Sequence, residues 1–206
     1  MDLIVIRHGQ SEADLLNVYE GRADYHLTPL GKKQADAMGE WVANRYHIDK
    51  IFASPMTRTK ETAASLSQRV GVKVTYDEDL MEWQNGLLAG RPKDEARILY
   101  PKLANRYPHT LVYQQESDIA FRMRAETVLS KIIHEYPQEY VVAIVTHNGM
   151  ITQLFRSFLK LPIDSPEVYL PRSKDTAIHV WQVKGRNRGI IHVNLQDHLQ
   201  GLEGSS

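Results

Sequence analysis

The chain has 206 residues, with 25 basic and 25 acidic side chains and no formal net charge at pH 7, so it offers no electrostatic footprint for nucleic acid or an anionic membrane. It is long enough to bury about 70 % of its unfolded surface. With no cysteine, a disulfide framework, a thiolate nucleophile and a Cys-ligated metal are all excluded. No apolar run approaches the roughly 20 residues of a spanning helix, and the acid at position 2 is unlike a basic leader. An unexported, cytoplasmic protein is expected, with no membrane or nucleic-acid partner.

The first element is an Ile- and Val-rich strand, Asp2 to Ile6, which releases Arg7-His8-Gly9-Gln10-Ser11. Such a run reads as a strand buried on both faces, and strands of that kind deliver functional loops at their C-terminal ends. Asp14 to Tyr25 has no period and reads as a loop over the strand mouth. Thr28 suits an N-cap and Pro29 a first helical position. The helix after them carries Leu30, Ala35, Met38, Trp41, Val42 and Tyr46 on one stripe and ends near Tyr46. Ile48 to Ala53 is the next strand. Ser54-Pro55 reads as a second cap, opening a helix that runs through Ala63, Leu66 and Val70 to a glycine stop at Gly71. A strand near Val72 to Tyr76 completes a β-α-β-α-β alternation.

Residues 83 to 116 hold prolines and turn residues without a helical stripe, and read as a lid-like insertion with short helices. A long helix spans about Ser117 to Tyr136. Tyr140 to Thr146 is a second strongly apolar strand, releasing His147-Asn148-Gly149 much as the first releases its own histidine. The next helix shows Ile151, Leu154, Phe155, Phe158 and Leu159, and two alternating runs, Thr176 to Val183 and Ile190 to Leu195, look like a closing hairpin. The predicted fold is a three-layer α/β/α sandwich around a mostly parallel sheet. It is read as one domain over residues 1–200, with a tail at 201–206.

In a parallel sheet the two strand-end histidines share one edge, with Arg58 near a helix N-terminus beside them. Forked guanidinium donors and helix N-termini at Ser54 to Arg58 and Asn148-Gly149 suit a phosphate-sized anion. Imidazole is a competent nucleophile, and the arginines beside His8 would keep it neutral. The other histidines show no metal-ligand spacing.

At this point the chain resembles the histidine phosphatase superfamily, which includes phosphoglycerate mutases and similar phosphatases. The resemblance lies in Arg7-His8-Gly9-Gln10-Ser11, Leu27 to Gly31, Ser54 to Ala63, Leu80-Met81-Glu82, Glu116-Ser117 and Val145 to Gly149, in the family's order over nearly the whole chain. It implies His8 as the phosphorylated nucleophile, with Arg7, Arg58 and His147 as the phosphate pocket and Glu82 as proton donor to the leaving oxygen. Ser11 and Asn148 are carried as further substrate-binding candidates. No metal or other cofactor is expected, because cationic side chains fill that role. The expected partner is a small phosphorylated metabolite, met by a monomer or homodimer.

Two departures bear on the substrate. Asp14 stands six residues after His8, where the family usually has Asn, and Glu20 precedes a glycine where Gln is common. Another alignment lets Asn17 take the amide's place, and whether the two acids face pocket or solvent stays open. If they face the pocket, they disfavour a second anionic group. A phosphomonoesterase is the first reading. A phosphoglycerate mutase is the second, although no Arg-Arg and Lys cluster follows Glu82, and a weakly catalytic phospho-ligand binding module is the third.

Overall fold

The computed structural model describes residues 1–104, 106–163 and 170–202. Six strands form one sheet: β1 Asp2–Arg7, β2 Lys50–Ala53, β3 Val74–Tyr76, β4 Val141–Thr146, β5 Ile178–Lys184 and β6 Asn187–Leu195, in the order β3-β2-β4-β1-β5-β6. The first four positions run parallel. The terminal hairpin extends the sheet antiparallel, β5 on β1 and β6 on β5.

The strands alternate as the pleat demands, and both faces are apolar. Leu3, Val5, Val142, Ile144 and Trp181 turn to one side, where they pack with Leu129 and Ile132 of α5 (Asp118–Glu135) and Leu154 and Phe158 of α6 (Asn148–Phe158). Ile4, Ile6, Ile51, Ala143, Val145 and Val180 turn to the other, against Met38 and Val42 of α2 (Pro29–Ala43) and Ala63 and Leu66 of α3 (Thr57–Val70). Each such aliphatic side chain contributes about 1.5–3 kcal/mol by leaving water, so two covered faces explain unbroken Ile/Val runs in β1 and β4. The result is the expected three-layer sandwich. Among the described residues no helix is long and apolar enough to cross a membrane.

Element ends differ from expectation in physically simple ways. The segment after β1 is not all loop: α1 (Glu12–Leu16) is a five-residue helix opened by a capping box between Ser11 and Asp14, too short to print a periodic stripe. The second helix stops at Ala43 rather than Tyr46, and Tyr46 still packs on the core beyond its end. Helix α3 starts two residues later than the Ser-Pro pair suggests, with Met56 as its N-cap. Ser54 is a strand-end residue whose hydroxyl turns to His147 instead.

Two close approaches lock the loops at the sheet's C-terminal edge. A Cβ on Gly9 would lie 2.6 Å from the Gly31 carbonyl oxygen, and one on Gly31 would collide with that of Gln10, so the β1 exit and the start of α2 touch backbone to backbone. Residues 83–116 contain a 3-10 turn at Gly86–Leu88 and α4 (Lys93–Leu99). This segment is stitched to the loop after α1 by Tyr19 N–H to Arg91 O at 2.9 Å, Gly90 N–H to Tyr19 O at 2.7 Å and Lys93 N–H to Asn17 O at 3.1 Å. Of the tail expected at 201–206, residues 203–206 lie outside the described residues.

Candidate active site

Strand register brings the two histidines together. Arg7 pairs with Thr146 across β1 and β4, and the His8 N–H donates to Thr146 O at 3.0 Å, so each strand ends with its histidine beside the other. The rings meet edge to face, 5.1 Å between centroids. Both are buried. His8 Nδ1 lies 2.8 Å from Gly9 O; a carbonyl only accepts, so Nδ1 carries the hydrogen and Nε2 keeps its lone pair. Burial, then Arg7 and Arg58, hold the His8 pKa well below the usual 6.5. His147 is lowered likewise, by burial first, then Arg58 and His8. Its Nε2 is 2.9 Å from Ser54 Oγ.

Two guanidinium groups flank this pair. Arg58, fully buried on the first turn of α3, donates to Ala23 O at 3.1 Å and Gly21 O at 2.8 Å. Arg7 donates to Ser173 O at 2.9 Å and pairs with Asp175 at 2.9 Å and Asp14 at 3.6 Å. The nitrogens Arg7 Nε, Arg58 Nε and His147 Nδ1 are buried without a hydrogen-bond partner. Buried polar atoms are seldom left so; of the eight such side-chain atoms among the described residues, these three belong to residues that surround His8.

The two acids of the loop face inward. Asp14 and Glu20 line a cavity of about 280 Å³ together with Arg7, His8, Glu82 and Asn148. Asp14 caps α1, accepting from Ser11 N–H at 2.9 Å and Ser11 Oγ at 3.0 Å. Glu20 accepts from Ser11 Oγ at 2.6 Å and approaches Arg58 Nε at 3.2 Å and His8 Nε2 at 3.9 Å. Ser11, a substrate-binding candidate by sequence, is fully buried with its hydroxyl committed to these carboxylates. It positions two acids and does not line the cavity.

Glu82 stands on the opposite wall. Its carboxylate accepts from Trp83 N–H at 2.8 Å and Gly149 N–H at 2.9 Å. A Cβ on Gly149 would collide with that carboxylate, which accounts for glycine there. The expected anion cradle at this helix start is therefore occupied, in part, by the protein's own acid. Asn148 likewise spends its side-chain oxygen on Ser173 N–H, at 2.7 Å.

Several contributors escaped the sequence reading. Arg124 of α5 donates to the carbonyls of Asp79, Met81 and Glu82 and forms a two-nitrogen pair with Glu116 at 2.7 and 3.1 Å, clamping the segment that carries Glu82. As one of several charged side chains on an amphipathic helix, it carries no distinguishing signal in the sequence. Lys93 and Arg172 add two cations to the cavity lining, from aperiodic stretches that carry no motif.

With the geometry in place, comparison with known proteins agrees. The family model described as histidine phosphatase superfamily (branch 1) matches residues 3–196. Phosphoserine phosphatase 1 of Hydrogenobacter thermophilus is 26 % identical over 201 residues, covering 96 % of this chain and 93 % of its own. Glucosyl-3-phosphoglycerate phosphatase of Mycobacterium tuberculosis is 29 % identical over 175 residues, 78 % of this chain and 76 % of its own. The solved alpha-ribazole phosphatase of Shigella flexneri has the same fold, with a TM-score of 0.85 at 22 % identity, over 95 % of this chain and 97 % of its own. The chain belongs to the histidine phosphatase superfamily (branch 1) and is a phosphatase of small phosphorylated molecules.

Proposed function

We propose that the protein hydrolyses phosphomonoesters through a phosphohistidine on His8. The observation that carries this reading is the free Nε2 lone pair of a neutral, buried imidazole, ringed by Arg7, Arg58 and His147, each with a buried nitrogen that makes no hydrogen bond. Nε2 attacks phosphorus in line as the bond to the leaving oxygen breaks, and Glu82 gives that oxygen its proton. Arg7, Arg58 and His147 stabilise charge on the equatorial oxygens. Water then attacks the phosphorus, Glu82 takes its proton back, the P–N bond breaks and phosphate leaves. Residues 83–116, joined to the Asn17–Gly21 loop, act as the lid that selects the leaving group.

A phosphoramidate is labile in acid and stable in alkali. Brief reaction with a labelled phosphomonoester and an alkaline quench is expected to leave label on His8, and His8→Ala to abolish label and turnover together. Label that persists in the variant, or maps to a serine, would sink the mechanism.

For the substrate, the cavity lining sets Asp14 and Glu20 against Lys93 and Arg172. This mixed field suits a leaving alcohol that carries both signs of charge better than one that is only anionic. A phosphorylated amino acid, the substrate class in the name of the Hydrogenobacter relative, has that character.

A further inference from the structure

Glu20 stands where an anion must go. One carboxylate oxygen is 3.9 Å from His8 Nε2, the attacking atom, and the other is 3.2 Å from Arg58 Nε, a buried nitrogen without a hydrogen-bond partner. Attack in line requires phosphorus about 3–3.5 Å from Nε2, so phosphoryl oxygens would fall on ground this carboxylate now holds. An amide at this position would meet those oxygens as a donor. A carboxylate meets them as a like charge.

The carboxylate is not free to leave. Ser11 Oγ holds it at 2.6 Å, and Arg58 holds the backbone just beyond it through Gly21 O and Ala23 O. Tyr19, just before it, is bonded on both sides to the lid, through Arg91 O and Gly90 N. Gly21 has a positive φ of 50° and sits so close to Asn85 that even a Cβ would meet that side chain at 2.5 Å. A segment clamped this way answers an incoming anion more cheaply by changing charge than by moving.

Resting on the phosphohistidine reading, we propose that Glu20 is a specificity-determining residue sharing the phosphoryl place, so that the site takes up a phosphate dianion together with one proton. The proton comes from solvent and lands on Glu20, turning a competing anion into a hydrogen-bond donor to the phosphoryl group.

The surroundings support this. Burial raises the Glu20 pKa most; Arg58 of α3, the Ser11 hydroxyl and Arg7 of β1 oppose it, Asp14 of α1 adds to it, and the net direction is up. His8 is neutral and contributes no countercharge. On the facing wall Glu82 disfavours a second carboxylate charge, while Lys93 of α4 and Arg172 favour it. An arriving phosphate adds negative charge beside Glu20 and drives it further toward protonation.

Glu20→Gln keeps the acceptor for Ser11 and the shape, and supplies an N–H at every pH. The test is titration of inorganic phosphate into each protein by calorimetry at about pH 8, in buffers of differing ionisation enthalpy, which counts protons taken up per phosphate bound. Wild type is expected to take up about one proton more than Glu20→Gln; any uptake by His8 or His147 is common to both and cancels. The variant should also bind phosphate roughly ten-fold tighter there, and its plot of log KM against pH should be shallower by about one between pH 6 and 8. Glu20→Ala, which lacks the Ser11 bond, should show the same reduced uptake. Equal proton uptake in wild type and both variants overturns the proposal even if phosphate binds well. Phosphate binding to none of the three removes the phosphate-site reading beneath it, and this proposal with it.

Discussion

At the scale of single residues, the site depends on two groups fixed by their surroundings. His8 is kept neutral because charging it would place a third cation in a buried space beside Arg7 and Arg58. Glu82 is held in place by two backbone N–H groups, one from its neighbour and one from the start of α6. A proton donor matters most when the leaving oxygen is basic. Glu82→Gln is therefore expected to slow hydrolysis of alkyl phosphates by roughly 10²–10⁴-fold and of an activated aryl phosphate much less. Rates measured on the two ester types decide it, since equal losses would mean structural damage or a different donor. Arg7, His8 and His147 were legible as the polar exits of apolar strands, but the roles expected of them and of Glu82 came with the ordered set of motifs, since an Arg-His pair after a strand is by itself most often a solvated loop. Arg124, Lys93 and Arg172 were not legible. Their importance comes from where the chain places them, and no local pattern records that.

At the scale of elements, what could be read was set by length and burial. Strands β1 and β4 are six residues each and covered on both faces, so their apolar runs stand out. The five residues of α1 give no stripe, and the shift of the α3 cap from Ser54 to Met56 follows from a hydroxyl recruited by His147, 93 residues away. The closing hairpin was visible by alternation, yet its tie to the site was not. His179 of β5 is completely buried, facing Ser173 Oγ at 2.8 Å through Nε2 and accepting from Asn194 N–H at 3.3 Å through Nδ1. Ser173 in turn accepts from Arg7 and donates to Asn148. A second proton on His179 would set N–H against N–H at Asn194. Burial lowers its pKa from the ordinary 6.5 to about 4, so between those values the unfolded chain binds more protons and stability falls as pH drops through that window. The contribution is fully present above about pH 6.5 and fades at roughly 1.4 kcal/mol per pH unit below it. Urea unfolding of wild type and His179→Asn at about pH 7 and 5 measures this. The variant is expected to be less stable at neutral pH and to show a flatter pH dependence; parallel curves would show that folding does not change the proton affinity of His179.

At the scale of the whole molecule, a chain with no net charge sets side chains of both signs together at one sheet edge. Three cationic side chains, Arg7, Lys93 and Arg172, and three acids, Asp14, Glu20 and Glu82, line the same cavity, contributed by five separate stretches of sequence. The acids alone argue for a neutral or cationic leaving group. The added cations turn that into a preference for a leaving group of both signs. Phosphoserine and 3-phosphoglycerate make a matched pair, since both carry a carboxylate and they differ by an ammonium in place of a hydroxyl. A unit charge near partly desolvated carboxylates is worth about 1–3 kcal/mol, and little if water reaches between them. We expect kcat/KM for phosphoserine to exceed that for 3-phosphoglycerate by roughly five- to 150-fold, with negligible primed interconversion of phosphoglycerates. Asp14→Asn should narrow the ratio, most clearly at low ionic strength, where screening is weakest. A ratio near one in the unmodified protein would show that the lining's charges do not reach the leaving group. Efficient interconversion of phosphoglycerates would show that the lid retains a phosphorylated product for return transfer, which a hydrolase of this charge pattern should instead release.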